Sequence, residues 1–132
     1  MYSVLYLITG VVLAAITGNT GSSIGTGETS TVIRDRVKIA RQVQHQRFKG
    51  LRKVHGNAAM RPKEIQKHCA LKPDAQAMLK MAITELHFSA RAYDRILKVS
   101  RTIADLDGSE EIQSQHVSEA IQYRTLDRQF WI

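Results

Sequence analysis

The 132-residue sequence has little cysteine or proline and lacks the best-known motifs for binding phosphate or metal. One cysteine, Cys69, excludes an internal disulfide framework and any cysteine-based zinc finger. Two prolines and eight glycines exclude collagen-like and proline-rich chains. The motif G-x-x-x-x-G-K-[ST] is absent, so the sequence contains no Walker A phosphate loop. The five histidines show no H-E-x-x-H or similar spacing, and we predict no metal site.

Charged residues are absent from the first 27 positions and unevenly distributed after them. Residues 34–72 hold twelve Lys/Arg and two Asp/Glu, whereas residues 73–132 hold seven basic and nine acidic residues. The net charge of +7 therefore comes from about one third of the chain. Such a concentration of positive charge favours an acidic partner, either nucleotide phosphate or nucleic acid.

Residues 1–26 form an uncharged apolar leader that ends in a Gly/Ser/Thr tract. The apolar part, Val4 to Ile16, is shorter than the roughly 20 residues that a membrane-spanning helix needs. No basic side chain precedes it, unlike the n-region of a signal peptide. A weak signal or anchor, or an element of a larger fold, remains an alternative. We favour a leader outside the fold, a domain over residues 27–132, and a cytoplasmic protein without membrane attachment.

The rest of the chain shows helical periodicity and no period-two alternation, which predicts an all-α helical bundle of about five helices. Ser30 and Ser89 are candidate N-caps, and Pro62 and Pro73 suit first helical positions. The predicted helices cover residues 31–48, 62–69, 73–86, 89–106 and 114 onwards, with residues 49–60 as a loop. The predicted core-facing positions are Ile33, Val37, Ala40, Ala75, Leu79, Ala82, Leu86, Tyr93, Ile96, Leu97, Ile103, Leu106, Val117, Ala120 and Ile121.

The segment Ser89-Ala90-Arg91 places an arginine in the first turn of the helix with the clearest pattern. Free backbone N–H groups and the positive end of the helix dipole favour an anion there, and a guanidinium can hold a phosphate bidentately. Arg95 lies one turn further on the same face. Arg101 is less favoured, because the dipole effect fades within the first turn. Taken alone, an arginine near an N-cap is more often solvated.

A basic stripe on the first helix is the other candidate site. Arg34, Lys38 and Arg41 share one helical face, which is either a solvated surface or a contact surface for a phosphate backbone or an acidic partner. Phe48 is the one aromatic residue nearby that is suited to base stacking, so backbone contact is favoured. The candidate nucleic-acid-binding residues are Arg34, Lys38, Arg41, Arg47, Lys49, Arg52 and Lys53.

The run LHFSARAYDRILKVSRTIADLDGSE, residues 86–110, closely resembles the C-terminal domain of the magnesium-chelatase-like AAA+ ATPases, the ComM/YifB family of bacteria. The resemblance begins at Gly27 and continues in GETSTVIRDRVKIARQVQHQRF. It includes Asn57-Ala58 and Cys69-Ala70-Leu71, and it ends in HVSEAIQYRTLDR, residues 116–128. Residues 1–26 do not resemble what precedes this domain in the family.

This resemblance implies a function for the domain as the helical lid of an AAA+ module. The lid closes over a nucleotide that the ATPase core binds. The resemblance implies that Arg91, with Arg95 as the runner-up, is the sensor-2 arginine that addresses the γ-phosphate. It also implies ATP and Mg²⁺ bound only through a core that is missing here, so the chain alone is not an enzyme. The implied partner is that core, in the same or a neighbouring subunit of a hexameric ring.

Several functions fit the sequence. The leading one is the lid of a DNA-processing motor of natural transformation. The lid of a true magnesium chelatase subunit shares the fold but matches the residues less well. A stand-alone basic helical module that binds nucleic acid is the alternative from another class, and a truncated gene remnant is a third possibility.

Overall fold

The computed structural model describes residues 27–130, in which five α-helices carry most of the chain. The predicted leader, residues 1–26, lies outside the described residues. The all-α prediction is confirmed for the described part. The helices are α1 (Ser30–Arg47), α2 (Pro62–His68), α3 (Pro73–Glu85), α4 (Ala90–Leu106) and α5 (Ser114–Phe130), with a 3₁₀ turn at Asn57–Ala59.

The helix ends follow local chemistry that the sequence displays. The Ser89 hydroxyl accepts the N–H of Ala92 at 3.3 Å, which confirms Ser89 as the N-cap of α4. At its other end, α4 stops where Gly108 adopts a φ of +73°, a left-handed conformation that favours glycine. The prediction of Ser30 as the N-cap of α1 is wrong. Thr29 holds the extended backbone of the cap, so Ser30 is already helical.

α4 is the central helix of the bundle, and it packs against α5, α1, α2 and the 3₁₀ turn. α3 packs against α5 on the other side. The α1–α2 loop is more than a solvated connection, because Val54 and Met60 from it are buried in the core. A single parallel β-bridge between Leu71 and Ile112 links two further loops. The core consists of Phe48, Val54, Met60, Ile65, Cys69, Ala75, Leu79, Ala82, Ile96, Leu97, Ala104, Ile112, Val117, Ala120 and Ile121.

The predicted core face of α1 is only partly buried. Ala40 is 3% exposed, whereas Ile33 and Val37 are 46% and 36% exposed. Every residue from 27 to 39 is exposed, so α1 packs on the bundle through its C-terminal half. The helical periodicity at Ile33 and Val37 indicated an apolar face correctly. Within the described residues, however, nothing covers that face.

A buried charged network fixes α1 to α4. From α1, Arg47 donates two hydrogen bonds to the Asp105 carboxylate of α4, at 2.8 and 2.5 Å. Asn57 of the 3₁₀ turn donates to the same carboxylate at 2.8 Å and accepts from Arg47 at 2.9 Å. Arg101 approaches Asp105 from one turn earlier on α4, with Nη2 3.1 Å from Oδ1. Three segments distant in sequence therefore meet at one carboxylate.

Arg101 also closes the loop between α4 and α5. Its Nη1 donates to the carbonyl of Glu110 and its Nη2 to the carbonyl of Ser109, both at 2.8 Å. The Arg101 side chain is 5% exposed, and the Asp105 side chain is 1% exposed. A charge taken this far from water is stable only when it is paired and fully hydrogen-bonded.

Two carboxyl groups near the end of α4 are held in their charged form. Burial alone would raise the pKa of Asp105, but hydrogen bonds from Arg47 and Asn57 and the charge of Arg101 hold that pKa below its usual value. Hydrogen bonds from His116 and Ser109 lower the pKa of Asp107. His116 Nδ1 accepts the N–H of Gln113 at 3.0 Å, so its proton is on Nε2, 3.1 Å from the Asp107 carboxylate.

Neutralising the network carboxylate destabilises the fold. Asp105→Asn leaves two buried guanidinium groups without a counter-charge, and we expect a loss of about 3–5 kcal/mol in the free energy of unfolding. Urea denaturation measures it. The control is Asp127→Asn, which removes an exposed pair with Arg124 and costs less than about 1 kcal/mol. Equal losses in the two variants would contradict the role assigned to Asp105.

The lowered pKa values of Asp105 and Asp107 also predict acid sensitivity. Because each folded pKa lies below the unfolded one, the unfolded state binds more protons as the pH falls. The stabilisation is present above the ordinary carboxyl pKa of about 4 and is lost as the pH falls through the folded values. The melting temperature should fall between pH 5 and 3, and less in Asp105→Asn than in the wild type. Parallel curves for the two proteins would show that Asp105 does not carry the effect.

Candidate functional site

The N-terminus of α4 presents two of the predicted arginines to solvent. Ser89 caps the helix, Arg91 lies in its first turn, and Arg95 lies one turn further. Both arginine side chains are exposed, and neither forms a salt bridge with a carboxylate in the part of the chain that the structure describes. Ser89 accepts the N–H groups of Ala92 and Tyr93, and the earlier N–H groups of a helix have no partner within it. This arrangement can hold an oxyanion such as a terminal phosphate.

Arg101, the third arginine of this helix, is buried instead of exposed. Its guanidinium is buried between Asp105 and the two carbonyl groups of the α4–α5 loop. It cannot reach a ligand at the start of α4 without breaking that network. The sequence disfavoured Arg101 as a phosphate-binding residue because it lies far from the start of the helix. The structure disfavours it because its guanidinium is buried.

Arg95 lies in a groove that sequence reasoning did not identify. The groove runs between α4 and α5, encloses about 590 Å³, and is lined also by Lys98, Val99, Tyr123 and Arg124. Lys98 Nζ donates to the carbonyl of Ala58 at 3.0 Å. The spacing of Arg95 and Lys98 on α4 was visible in the sequence. Arg124 joins them only because α5 packs against α4.

The groove also contains the phenol of Tyr123, which is hydrogen-bonded to a carboxylate. Tyr123 donates to the Glu119 carboxylate at 2.8 Å. This hydrogen bond, and then burial, raise the pKa of Tyr123 above its usual value. Tyr123 is 54% exposed, so its ring forms an apolar wall beside the cationic side chains. Arg95 thus lies in a groove lined by three cations and one carboxylate, Asp127, whereas Arg91 lies at a helix start.

The basic stripe of α1 is present and accessible. Arg34, Lys38 and Arg41 are all exposed on α1, and Lys49, Arg52 and Lys53 are exposed on the loop that follows. Because an α-helix advances 100° per residue, the three basic side chains on α1 lie opposite the apolar Val32, Ile39 and Val43.

Arg47 and Phe48 do not belong to that surface, and here the structure corrects the sequence. Arg47 is bound to Asp105 and Asn57, and its side chain is 13% exposed, so it is not free to contact a phosphate backbone. Phe48 is buried in the core with an edge-on contact to His68, 5.6 Å between ring centres. It cannot stack on a base. A surface without an accessible aromatic residue can contact the phosphate backbone of a nucleic acid but cannot stack on its bases.

Two further titratable side chains, Cys69 and His68, contribute to the packing of the fold. Burial raises the pKa of the Cys69 thiol to about 11, so this cysteine stays protonated and packs as a small apolar residue. Burial, and then the charges of Arg47 and Lys67, lower the pKa of His68. Within residues 27–130, no group of three or more His, Cys, Asp or Glu side chains is arranged to hold a metal ion.

Over the described span, no helix combines the length and apolar character needed to cross a bilayer.

Curated bacterial proteins are similar in sequence to most of this chain. Competence protein ComM of Haemophilus influenzae is 42% identical over 110 residues, which cover 83% of this chain and 20% of that protein. Uncharacterized protein YifB of Salmonella typhimurium is 41% identical and its counterpart in Escherichia coli is 40% identical, each over 102 residues, 77% of this chain and 19% of the relative. The chain spans about a fifth of the length of the curated relatives it matches.

A family model gives the same assignment over most of the chain. The model described as "Magnesium chelatase, subunit ChlI C-terminal" matches residues 27–124, which include all of α1 to α4 and more than half of α5. The match begins where the predicted domain begins. The chain therefore belongs to the family of magnesium chelatase C-terminal domains and is similar to about a fifth of ComM and of YifB.

Proposed function

We propose that this chain is the helical lid of a magnesium-chelatase-like AAA+ ATPase and that it contributes Arg91 to the nucleotide site of a core it does not contain. The observation that carries the proposal is the capped start of α4, where an exposed Arg91 lies in the first turn. Family membership supports the lid assignment. The share of the relatives that the chain spans supports a larger parent protein.

The exposed apolar side of α1 supports docking of this domain on a core. Ile33, Val37, Ile39 and Val43 are each at least 36% exposed. Isolated apolar residues are common on protein surfaces, but four within about three turns of one helix form a larger apolar surface. A core that covers them would hold α1 from the side that the bundle leaves open.

The residues at the start of α4 suit a phosphate but not a metal. A guanidinium beside free N–H groups is cationic and donates hydrogen bonds only, so it binds the γ-phosphate oxygens and repels Mg²⁺. Bound ATP and Mg²⁺ would supply the phosphoryl group and its charge neutralisation, and both would be held by the core. Arg91 would orient the terminal phosphate, in the same subunit or from a neighbouring one. Arg95 is the second candidate, since it lies one turn away.

The parent protein that fits best is a DNA-processing motor assembled as a hexameric ring in the cytoplasm. The name of the Haemophilus influenzae relative, a competence protein, supports a role in natural transformation. The family description mentions magnesium chelatase, so a chelatase subunit is the alternative parent. The lid role of Arg91 is the same in both.

Replacing Arg91 should lower ATP turnover without lowering the stability of the domain. A chimera in which residues 27–132 replace the matching part of the Haemophilus influenzae ComM supplies the core. In it, Arg91→Ala should lower ATP turnover at least about tenfold, because the phosphate loses a bidentate partner. Arg91→Lys should restore only part of it, since lysine lacks the planar fork.

The controls separate this role from neighbouring ones. Lys80→Ala removes an exposed cation from α3 and should leave turnover unchanged. The isolated chain should not hydrolyse ATP. If Arg95→Ala abolished turnover and Arg91→Ala did not, the assignment within α4 would move to Arg95. If neither variant mattered, the sensor role would be refuted.

A second function is favoured by the exposed basic stripe. We propose that Arg34, Lys38 and Arg41 of α1, with Lys49, Arg52 and Lys53 of the loop, contact the phosphate backbone of DNA weakly and without sequence preference. All six side chains are exposed, and the three on α1 lie on one face. This surface could serve a motor or a stand-alone module.

Salt titration tests the DNA contact. Fluorescence anisotropy with a labelled duplex should give an affinity that falls steeply with salt, and replacing Arg34, Lys38 and Arg41 by Ala should flatten the log–log slope by about 0.9 for each lost phosphate contact. Replacing Lys63, Lys67 and Lys80 by Ala removes the same charge from α2 and α3, and is the matched control. Equal slopes in the two triple variants would show that DNA is attracted by the net charge of the protein, and would contradict a specific contact with the basic stripe.

A further inference from the structure

A polar notch lies between the C-terminal half of α1 and the loop that follows it. It encloses about 540 Å³, and its walls are formed by Arg41, Gln42, Gln44, His45, Gln46, His55 and Gly56. Arg41 and His45 are one turn apart on α1 and extend the stripe of Arg34 and Lys38. The notch is therefore the end of the basic surface that is nearest to the body of the domain.

The loop wall of the notch is fixed against the helix. The N–H of Asn57 donates to the Gln44 side-chain oxygen at 3.0 Å, and the Asn57 side chain is anchored at Asp105. Gly56 lies so near that an added Cβ would approach the Gln44 oxygen to 3.2 Å. This close approach brings His55 to the side of α1 that carries His45, ten positions earlier in the chain.

The charge around the notch has one sign. Its lining contains one guanidinium, two imidazoles and three side-chain amides, and no carboxylate. The loop between the walls adds the exposed Lys49, Arg52 and Lys53. Asp105, the α4 carboxylate that faces α1, is bound by Arg47 and Arg101 on the buried side. An anion is the ligand that fits, and protonated imidazoles would add two cations to it.

We propose that this notch binds backbone phosphates of nucleic acid and that protonation of His45 and His55 strengthens the binding. The inference rests on the second of the two proposed functions and adds its location and its control by pH. Arg41 provides a permanent charge at every pH. When protonated, the two imidazoles donate to phosphate oxygens and add positive charge to the notch. Nucleic acid is favoured over a free anion because the notch continues the stripe on α1.

The experiment measures binding of the full chain to a labelled DNA duplex at pH 7.5 and 5.5, over a range of salt. We expect affinity to rise about tenfold at pH 5.5 and the log–log salt slope to steepen by about 1.8, which is two added phosphate contacts. The double variant H45Q/H55Q should lose both the pH effect on affinity and the steeper salt slope. His87→Asn is the control, since His87 is exposed in the α3–α4 turn and Asn tolerates its φ of 51°.

Two further readouts keep the result decisive. The melting temperature of each variant at both pH values shows that the fold is intact. Histidine ring signals in NMR should shift at His45 and His55, and not at His87, when DNA is added. In a separate titration, inorganic phosphate is added to the protein in place of DNA and the same histidine ring signals are followed.

Each result decides between supporting and rejecting the proposal. A pH effect that is absent from the wild type, or that survives in H45Q/H55Q, overturns the notch while the basic surface stands. No DNA binding at either pH and low salt overturns the surface and the notch together. Tight binding of inorganic phosphate without DNA would assign the notch to a free anion and overturn the nucleic-acid proposal.

Discussion

The Asp105 carboxylate joins four parts of the domain, because it neutralises two guanidinium groups that would otherwise be buried without a partner. Arg47 reaches it from α1, Asn57 from the 3₁₀ turn, and Arg101 from α4 while also holding the α4–α5 loop. Apolar contacts can be repacked with little change in energy, but a buried charge must meet its partner at a fixed distance and angle. The network therefore determines where α1 lies on the bundle.

Anchoring α1 at its C-terminal end has a functional consequence. Ala40, Arg47 and Phe48 hold that end, while the residues before position 40 are exposed. The same helix then carries exposed apolar side chains, several of which lie opposite the basic stripe. Such a helix can contact an ATPase core with its apolar side and leave its basic side open to an anionic partner. The two proposed functions thus use different faces of one element.

Arginine provides the clearest example of one residue type given different tasks by its surroundings. Arg91 and Arg95 are exposed at the start of α4, and Arg101 is buried two turns later. Arg47 and Arg41 differ in the same way on α1, where Arg47 binds Asp105 and Arg41 lines an open notch. Local sequence shows which helix an arginine belongs to and how it is spaced. It does not show whether a carboxylate from another segment lies close enough to pair with that arginine.

The amino-acid sequence by itself determined the all-α class, the positions of the helices and the start of α4 at Ser89, because periodicity, N-caps and first-turn prolines act within a few residues of each other. It also determined the basic stripe of Arg34, Lys38 and Arg41. The tertiary structure alone decided that Arg47 and Phe48 are withdrawn from the surface and that Ile33 and Val37 are left uncovered. It also decided that Arg95 and Arg124 line one groove and that His45 and His55 line another. These outcomes depend on packing between segments far apart in the chain, which no local pattern encodes.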